Sequence, residues 1–210
     1  MKLFFDFDST FIKSETLDQL ALRQQVSAVE AITQATMAGK LDFHEALLQR
    51  LACLNTQASA WEELVNDLPV SDSVQKHRAW FVENHESIYI VSGGFKEVII
   101  PIVAPFGIPP EHVFANHLID GKLDITNPLA YSFGKAKVIA NLTDATQEFS
   151  IMIGDGYNDL EVRQAGKVAY FFAYVENVYR EVVASQADAV VENMDQLIQR
   201  LGEFRERIIA

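Results

Sequence analysis

The sequence predicts an α/β protein: a doubly wound, mainly parallel sheet with a small inserted all-helical unit and one β-hairpin. Three observations carry this. Apolar runs of strand type, Leu3-Phe4-Phe5, Ile88-Tyr89-Ile90-Val91 and Ile151-Met152-Ile153, alternate with stretches of helical periodicity. Residues 13–69 show helical periodicity alone and interrupt the alternation directly after the first strand. Asp120-Gly121, between the strand-like stretches 113–119 and 122–125, is the pair that a type I′ hairpin turn selects.

The first strand organises the rest. Leu3-Phe4-Phe5 with Phe7 reads as a strand buried on both faces. An ionised carboxylate is strongly disfavoured in such surroundings unless paired. Asp6 therefore belongs at the carboxyl end of the strand, where open parallel sheets place their ligand crevice. Asp8, two residues on, lies on the same side if the chain stays extended.

Taken in order, Leu17, Leu20, Ala21 and Gln24 share a helix face that Thr16 and Gln19 open in the manner of a capping box. Val29, Ile32 and Met37 mark a second helix, with Gly39 as its C-cap. Asp42 caps a third, with Glu45 three residues on, whose stripe is Phe43, Ala46, Leu47, Arg50, Leu51 and Leu54. Arg50 falls in the middle of that apolar face. The pattern alone favours a side chain snorkelling to solvent over a cation aimed into a cleft. Cys53, among Leu51, Ala52 and Leu54, reads as core filler, and His44 as a surface residue. Trp61, Leu64, Val65 and Leu68 mark a fourth helix that ends at Pro69.

From Ser73 helices and strands alternate. A helix spans about 74–83, and the strand 88–91 opens onto Ser92-Gly93-Gly94. The helix after Phe95 is interrupted by Pro101 and Pro105. A helix at 135–142 precedes the strand 151–153, which opens onto Gly154-Asp155-Gly156-Tyr157-Asn158-Asp159. A short helix to Gly166, a strand at 168–172, a helix near 178–184, a strand at 189–191 and a terminal helix complete the chain. The architecture is a Rossmann-like core, 1–12 and 70–210, with a helical cap at 13–69.

Composition narrows the partners. With 49% hydrophobic and 22% charged residues, the 210-residue chain is of globular type. A formal net charge of -12 argues against nucleic acid or an anionic membrane surface. The single cysteine excludes an internal disulfide and fits a reducing compartment. The apolar stretch 98–110 is too short, and too broken by Pro105, Pro109 and Pro110, to span a bilayer. A soluble cytoplasmic protein is the expectation.

The loops after the three apolar strands converge along one edge of a parallel sheet. Each alone is explained by helix caps or turns; together, in this order, they point to a site. Asp6, Asp8, Asp155 and Asp159 crowd negative charge, which a hard divalent cation such as magnesium relieves. Lys135 adds a positive charge; Ser92, the Gly93 amide and the Asn158 amide add neutral donors. Cation, lysine and amides make a receptor for a tetrahedral anion, most simply phosphate. Phosphate-monoester hydrolysis is among the slowest uncatalysed reactions, and covalent catalysis divides its barrier. Of two carboxylates two residues apart, one attacks phosphorus and the other handles the proton of the leaving group.

On Asp6-Phe7-Asp8-Ser9-Thr10, Ser92-Gly93-Gly94-Phe95, Lys135 and Gly154-Asp155-Gly156-Tyr157-Asn158-Asp159, the sequence resembles the haloacid dehalogenase superfamily of phosphatases. Glu15-Thr16-Leu17-Asp18, Met37-Ala38-Gly39-Lys40-Leu41-Asp42-Phe43 and Arg50 point to its phosphoserine branch. The resemblance implies magnesium-dependent hydrolysis of a small phosphate monoester, O-phosphoserine, to serine and phosphate, as in serine biosynthesis. It makes Asp6 the nucleophile that becomes an aspartyl phosphate, and Asp8 the general acid and then base. Asp6, the Asp8 carbonyl and Asp155 hold magnesium, with Asp159 in support. Ser92, Gly93, Lys135 and Asn158 hold the phosphoryl oxygens. Glu15 meets the substrate ammonium and Arg50 its carboxylate, with Met37 and Phe43 as pocket walls. This favours the cleft position for Arg50, where a guanidinium suits a bidentate carboxylate. The chain departs from the family at Tyr157, where a small residue is common, and in Pro69-Val70-Ser71-Asp72-Ser73, which lacks the usual glycine.

The same chemistry on another small phosphate ester, or phosphoryl transfer to another alcohol, is the nearest rival. Dehalogenation needs no leaving-group acid and leaves Asp8 without a task. A non-enzymatic phospho-acceptor module shares the acidic pocket but has no helical insertion after its first strand.

Overall fold

The computed structural model describes residues 1–37, 40–143 and 149–209. The chain opens with β1 (Lys2–Phe5) and four helices, α1 (Thr16–Gln24), α2 (Ala28–Met37), α3 (Phe43–Cys53) and α4 (Ala58–Asp67). Two short helices, α5 (Asp72–Lys76) and α6 (Arg78–Asn84), lead to β2 (Ile88–Phe95), α7 (Lys96–Val103), β3 (Val113–Asn116), β4 (Leu118–Ile119) and β5 (Lys122–Leu123). The remainder alternates: α8 (Gly134–Leu142), β6 (Ser150–Gly154), α9 (Tyr157–Gln164), β7 (Tyr170–Tyr174), α10 (Glu181–Ala184), β8 (Ala189–Val191) and α11 (Met194–Ile209).

Six strands form one parallel sheet in the order β3-β2-β1-β6-β7-β8. The chain steps outward from β1 on one side and from β6 on the other, so the order reverses between these two. Beyond the carboxyl ends at such a reversal lies the ligand crevice of a doubly wound sheet. The register fixes what stands there. Phe5 pairs with Ile90 on one side and Ile153 on the other. Asp6 therefore follows level with Val91 and Gly154, and Ser92 and Asp155 come one residue further along the same edge.

The strand sequence explains its central place. Leu3 and Phe5 enter one apolar cluster and Phe4 the other, and all three are buried. Each such side chain is worth about 1.5–3 kcal/mol on burial. Ala136 and Ile139 of α8 and Leu160 and Val162 of α9 cover the Phe4 face. The opposite cluster runs from Leu3 and Phe5 through α7 into the helices α1–α4 by way of Leu17, Leu47, Trp61 and Leu64. Trp61 stacks on Phe95 at the end of β2, ring centroids 5.3 Å apart.

The chain leaves and re-enters the sheet region through two paired segments. Ile12 bridges Val70, Lys13 N–H donates to the Pro69 carbonyl and Ser71 N–H to the Phe11 carbonyl. Asn177 clamps this crossing. Its side-chain amide donates to the Ser71 hydroxyl at 2.7 Å and to the carbonyls of Ser9 and Ile12 at 3.1 and 3.3 Å.

The structure departs from the sequence reading in several places. The helix expected over 74–83 is two, because His77 leaves helical geometry between α5 and α6. Ser92-Gly93-Gly94 belongs to β2, whose pairing with β3 shifts between Val91 and Phe95; glycines tolerate that irregularity. Pro101 lies inside α7, and Pro105 opens a 3-10 turn, where its missing N–H costs little. The stretch 113–119 divides into β3, in the main sheet, and β4, which pairs with β5. Asp120 and Gly121 both take positive φ, 51° and 75°, as the tight turn requires. Of the helix near 178–184 only Glu181–Ala184 is helical.

Thr16 and Gln19 form no capping box: Glu15 is the N-cap residue, without a side-chain capping bond, and Thr16 binds Asp8 instead. Asp42 does cap α3, accepting from the N–H groups of His44 and Glu45. Cys53, at the last position of α3, is exposed, while the adjacent Leu54 is buried. Gly39 and the side chain of Met37 lie outside the described residues.

Replacing Asn177 by Leu strips donors from the partly buried crossing. We expect a loss of about 1–3 kcal/mol, measured as a lower urea midpoint with unchanged slope.

Candidate active site

Asp6 is the first residue past β1, its N–H held by the Ile153 carbonyl at 2.8 Å. Its Oδ1 accepts the Phe7 N–H and lies 2.7 Å from Lys135 Nζ. Lys135, in the first turn of α8, also reaches Asp159 Oδ1 at 2.7 Å. Asp159 is fully buried on the first turn of α9, and its Oδ2 accepts the Gly156 N–H at 3.0 Å. Asp155 follows β6; its Oδ1 accepts the Thr10 hydroxyl at 3.2 Å, and its Oδ2 lies 3.1 Å from Arg180 Nε. Asp6, Asp155 and Asp159 can each present one oxygen so that all three lie within 4.8 Å of one another.

The electrostatics follow from burial. Desolvation, then the neighbouring Asp6, pushes both Asp155 and Asp159 above the usual carboxylate range. Burial opposes the charge of Lys135, but Asp159 and Asp6 outweigh it and hold the ammonium above the ordinary lysine value. An all-oxygen donor set that resists ionisation on its own fits a hard divalent cation. Asp8 is held at Oδ1 by the Thr16 N–H, at 2.9 Å, and by the Thr16 hydroxyl. Burial, with Glu15 second, pushes its carboxyl well above the usual range, so it keeps a proton to higher pH.

Ser92 is buried and its Oγ accepts the Gly94 N–H at 3.0 Å, leaving its own proton free to donate. Ser92, Gly93 and Asn158 line one cavity of about 860 Å³ together with Asp6, Asp8 and Lys135. Glu15, Phe43 and Arg50 line it from the side of α1–α4. Glu15 Oε1 accepts the Ser9 hydroxyl at 2.8 Å, and burial, then Asp155, raises its pKa. Phe43 lies over Gly93: its Cζ is 3.3 Å from where a Cβ would stand. Arg50 does not snorkel. Burial lowers its pKa against the pull of Asp18, Glu15 and Asp8, and its Nε is buried without a hydrogen-bond partner among the described residues. Tyr157 stands half exposed at the mouth.

Two residues of the site went unread in the sequence. Arg180 spans from Asp155 to Glu15, whose Oε1 is 4.0 Å from Arg180 Nη2. It sits in a stretch whose helical pattern makes a charged residue look solvated. Gly154, in a stretch that the sequence reads as loop, ends β6, and a Cβ there would fall 2.2 Å from Asp159 Oδ2. No side chain fits between the end of β6 and that carboxylate.

A parallel sheet with an acidic, lysine-bridged crevice at its point of reversal defines a class, and the comparisons agree with it. The chain belongs to the haloacid dehalogenase-like hydrolases, whose family pattern matches residues 3–164. Within that class its relatives are phosphoserine phosphatases. The chloroplastic phosphoserine phosphatase of Arabidopsis thaliana is 35% identical, over 94% of this chain and 70% of its own length. A phosphoserine phosphohydrolase-like protein from Francisella tularensis superposes with a TM-score of 0.77 at 32% identity, covering 95% of this chain and 99% of the other. A phospho-aspartyl intermediate analogue of phosphoserine phosphatase gives 0.74 at 25% identity, over 94% and 97% of the two chains.

Gly154→Ala should drive Asp159 off Lys135 and weaken divalent-cation binding at least about tenfold by isothermal titration. Because Asp155 and Asp159 hold protons to higher pH than free carboxylates, a cation must displace those protons. Its affinity should fall as pH falls, with proton release on binding.

Proposed function

We propose that the protein is a magnesium-dependent phosphomonoesterase that hydrolyses O-phosphoserine through a phosphorylated Asp6. The Asp6 carboxylate carries this reading. Among the described residues, its two donors, Phe7 N–H and Lys135 Nζ, both fall on Oδ1. Oδ2 is thereby left to a cavity lined by neutral and cationic donors. Magnesium, held by Asp6, the Asp8 carbonyl and Asp155 with Asp159 behind them, supplies positive charge against the phosphoryl oxygens when bound.

Asp6 Oδ2 bonds to phosphorus as the ester P–O bond breaks, and Asp8 gives its proton to the departing serine oxygen. Asp8, now a carboxylate, takes a proton from a water as that water attacks phosphorus. The bond from Asp6 Oδ2 to phosphorus breaks, phosphate leaves, and both carboxyl groups return to their starting states. Ser92, the Gly93 amide, Lys135 and Asn158 hold the phosphoryl oxygens through both steps. Glu15 receives the substrate ammonium and Arg50 its carboxylate, under the Phe43 wall. In this reading 1–12 with 70–210 is the catalytic core and 13–69 a cap that closes to exclude water.

The partner is a small phosphate monoester, not nucleic acid or membrane. No described helix is long and apolar enough to cross a bilayer. We place the protein in the cytoplasm on its lone cysteine; the Arabidopsis relative is named chloroplastic.

Phosphate release from O-phosphoserine should vanish on chelation and return with magnesium. Asp6→Asn should lower kcat by roughly 10³-fold or more, and Asp8→Asn by about 10²–10⁴-fold. In the wild type kcat/KM should fall on the alkaline side as Asp8 loses its proton, a limb that Asp8→Asn abolishes. Arg50→Ala should cost about 10–100-fold in kcat/KM for O-phosphoserine but little for an uncharged aryl phosphate; equal losses on both would overturn the substrate assignment.

A further inference from the structure

We propose that His44 is a positioning residue, the latch that docks α3 onto the segment leading into α8 and so keeps Phe43 and Arg50 over the phosphate site. The inference rests on the cap-and-core reading above and adds the contact that holds the two together. His44 was read from the sequence as a surface residue. In the structure His44 is half-buried and its ring reaches Ala130 and Tyr131, ahead of α8.

His44 Nδ1 lies 2.9 Å from the Ala130 carbonyl oxygen. A carbonyl only accepts, so Nδ1 carries the hydrogen and the tautomer is set by the contact. The same ring stacks on Tyr131, with centroids 4.1 Å apart and planes within 15°. Tyr131 is itself pinned, its hydroxyl donating to the Ile125 carbonyl at 2.9 Å. Ala130 ends the 3-10 turn Pro128–Ala130 and Tyr131 directly follows it, five and four residues before Lys135 of α8.

On the other side, His44 sits in the first turn of α3, whose geometry Asp42 fixes by accepting the His44 and Glu45 N–H groups. Its neighbour Phe43 covers Gly93. Arg50 stands six residues further on, about 9 Å along the helix axis. A rigid helix anchored at its first turn thus fixes the hydrophobic wall and the guanidinium together. The fastening uses one hydrogen bond and one ring stack, so it can open for exchange of substrate and product and close again.

The test compares His44→Ala, Tyr131→Ala and the double variant with the wild type. Hydrogen exchange of the α3 amides reads the latch without any substrate. We expect roughly tenfold faster exchange in α3 for each single variant and no further gain in the double, with β1 and β6 unchanged. With O-phosphoserine, KM should rise roughly 5–20-fold with kcat within about twofold. His44→Asn, whose amide can still donate to Ala130, should recover part of that loss. Unchanged α3 exchange, additive effects in the double variant, or faster exchange throughout the sheet would each overturn the latch. If the wild type does not hydrolyse O-phosphoserine at all, the substrate reading fails, and the exchange measurement still decides the latch.

Discussion

Two carboxylates share one buried ammonium. Lys135 Nζ stands 2.7 Å from Asp6 Oδ1 and 2.7 Å from Asp159 Oδ1, and the rest of the site is arranged around that fact. Removing a partner from a buried, hydrogen-bonded ion pair leaves the other charge uncompensated, which costs more than the pair itself contributes. The three residues come from β1, α8 and α9, so the bridge also staples the sheet's point of reversal to the two helices on its Phe4 face. It settles which oxygen of Asp6 is occupied and which is open.

The net charge of -12 looks hostile to an anionic substrate, yet the local field differs from the global one. Lys135, Arg50 and Arg180 are cations drawn into or beside the cavity, and burial raises the pKa values of Asp8, Asp155 and Asp159, which weakens the tendency of these groups to carry negative charge. Screening limits the reach of the outer charges to about 8 Å at physiological salt. What an approaching phosphate meets is therefore set by a few buried groups.

The frame was legible because its signals are physical requirements. An apolar run that ends in Asp6, and glycine-bearing loops after two other apolar strands, have few explanations other than a crevice at the ends of parallel strands. Arg180 and Asn177 were not legible, because each meets partners remote in sequence, Arg180 at Asp155 and Glu15 and Asn177 at Ser9, Ile12 and Ser71, from a stretch whose local pattern resembles a solvated helix. Arg50 was ambiguous in the pattern alone: only the packing of α3 decides whether a guanidinium at that position points outward or into a cavity. Cys53 misled because its apolar neighbours do not fix which side of the chain faces the core: Leu54 is buried and Cys53 beside it is exposed. The boundary errors fall where glycine, histidine or proline perturbs a ladder, as at Ser92-Gly93-Gly94, His77 and Pro101.

The central place of β1 has a consequence for how the chain is made. Its two neighbours in the sheet begin at Ile88 and Ser150, so this central apolar strand is synthesised long before either can pair with it. At ribosomal speeds of about 5–20 residues per second, that interval is on the order of ten seconds. A nascent Leu3-Phe4-Phe5 segment must stay out of cross-chain aggregates throughout, and the charges of Lys2, Asp6 and Asp8 beside it are the gatekeepers available for that task. The acidic residues at the end of the strand thus guard the newborn polypeptide before they serve the finished one.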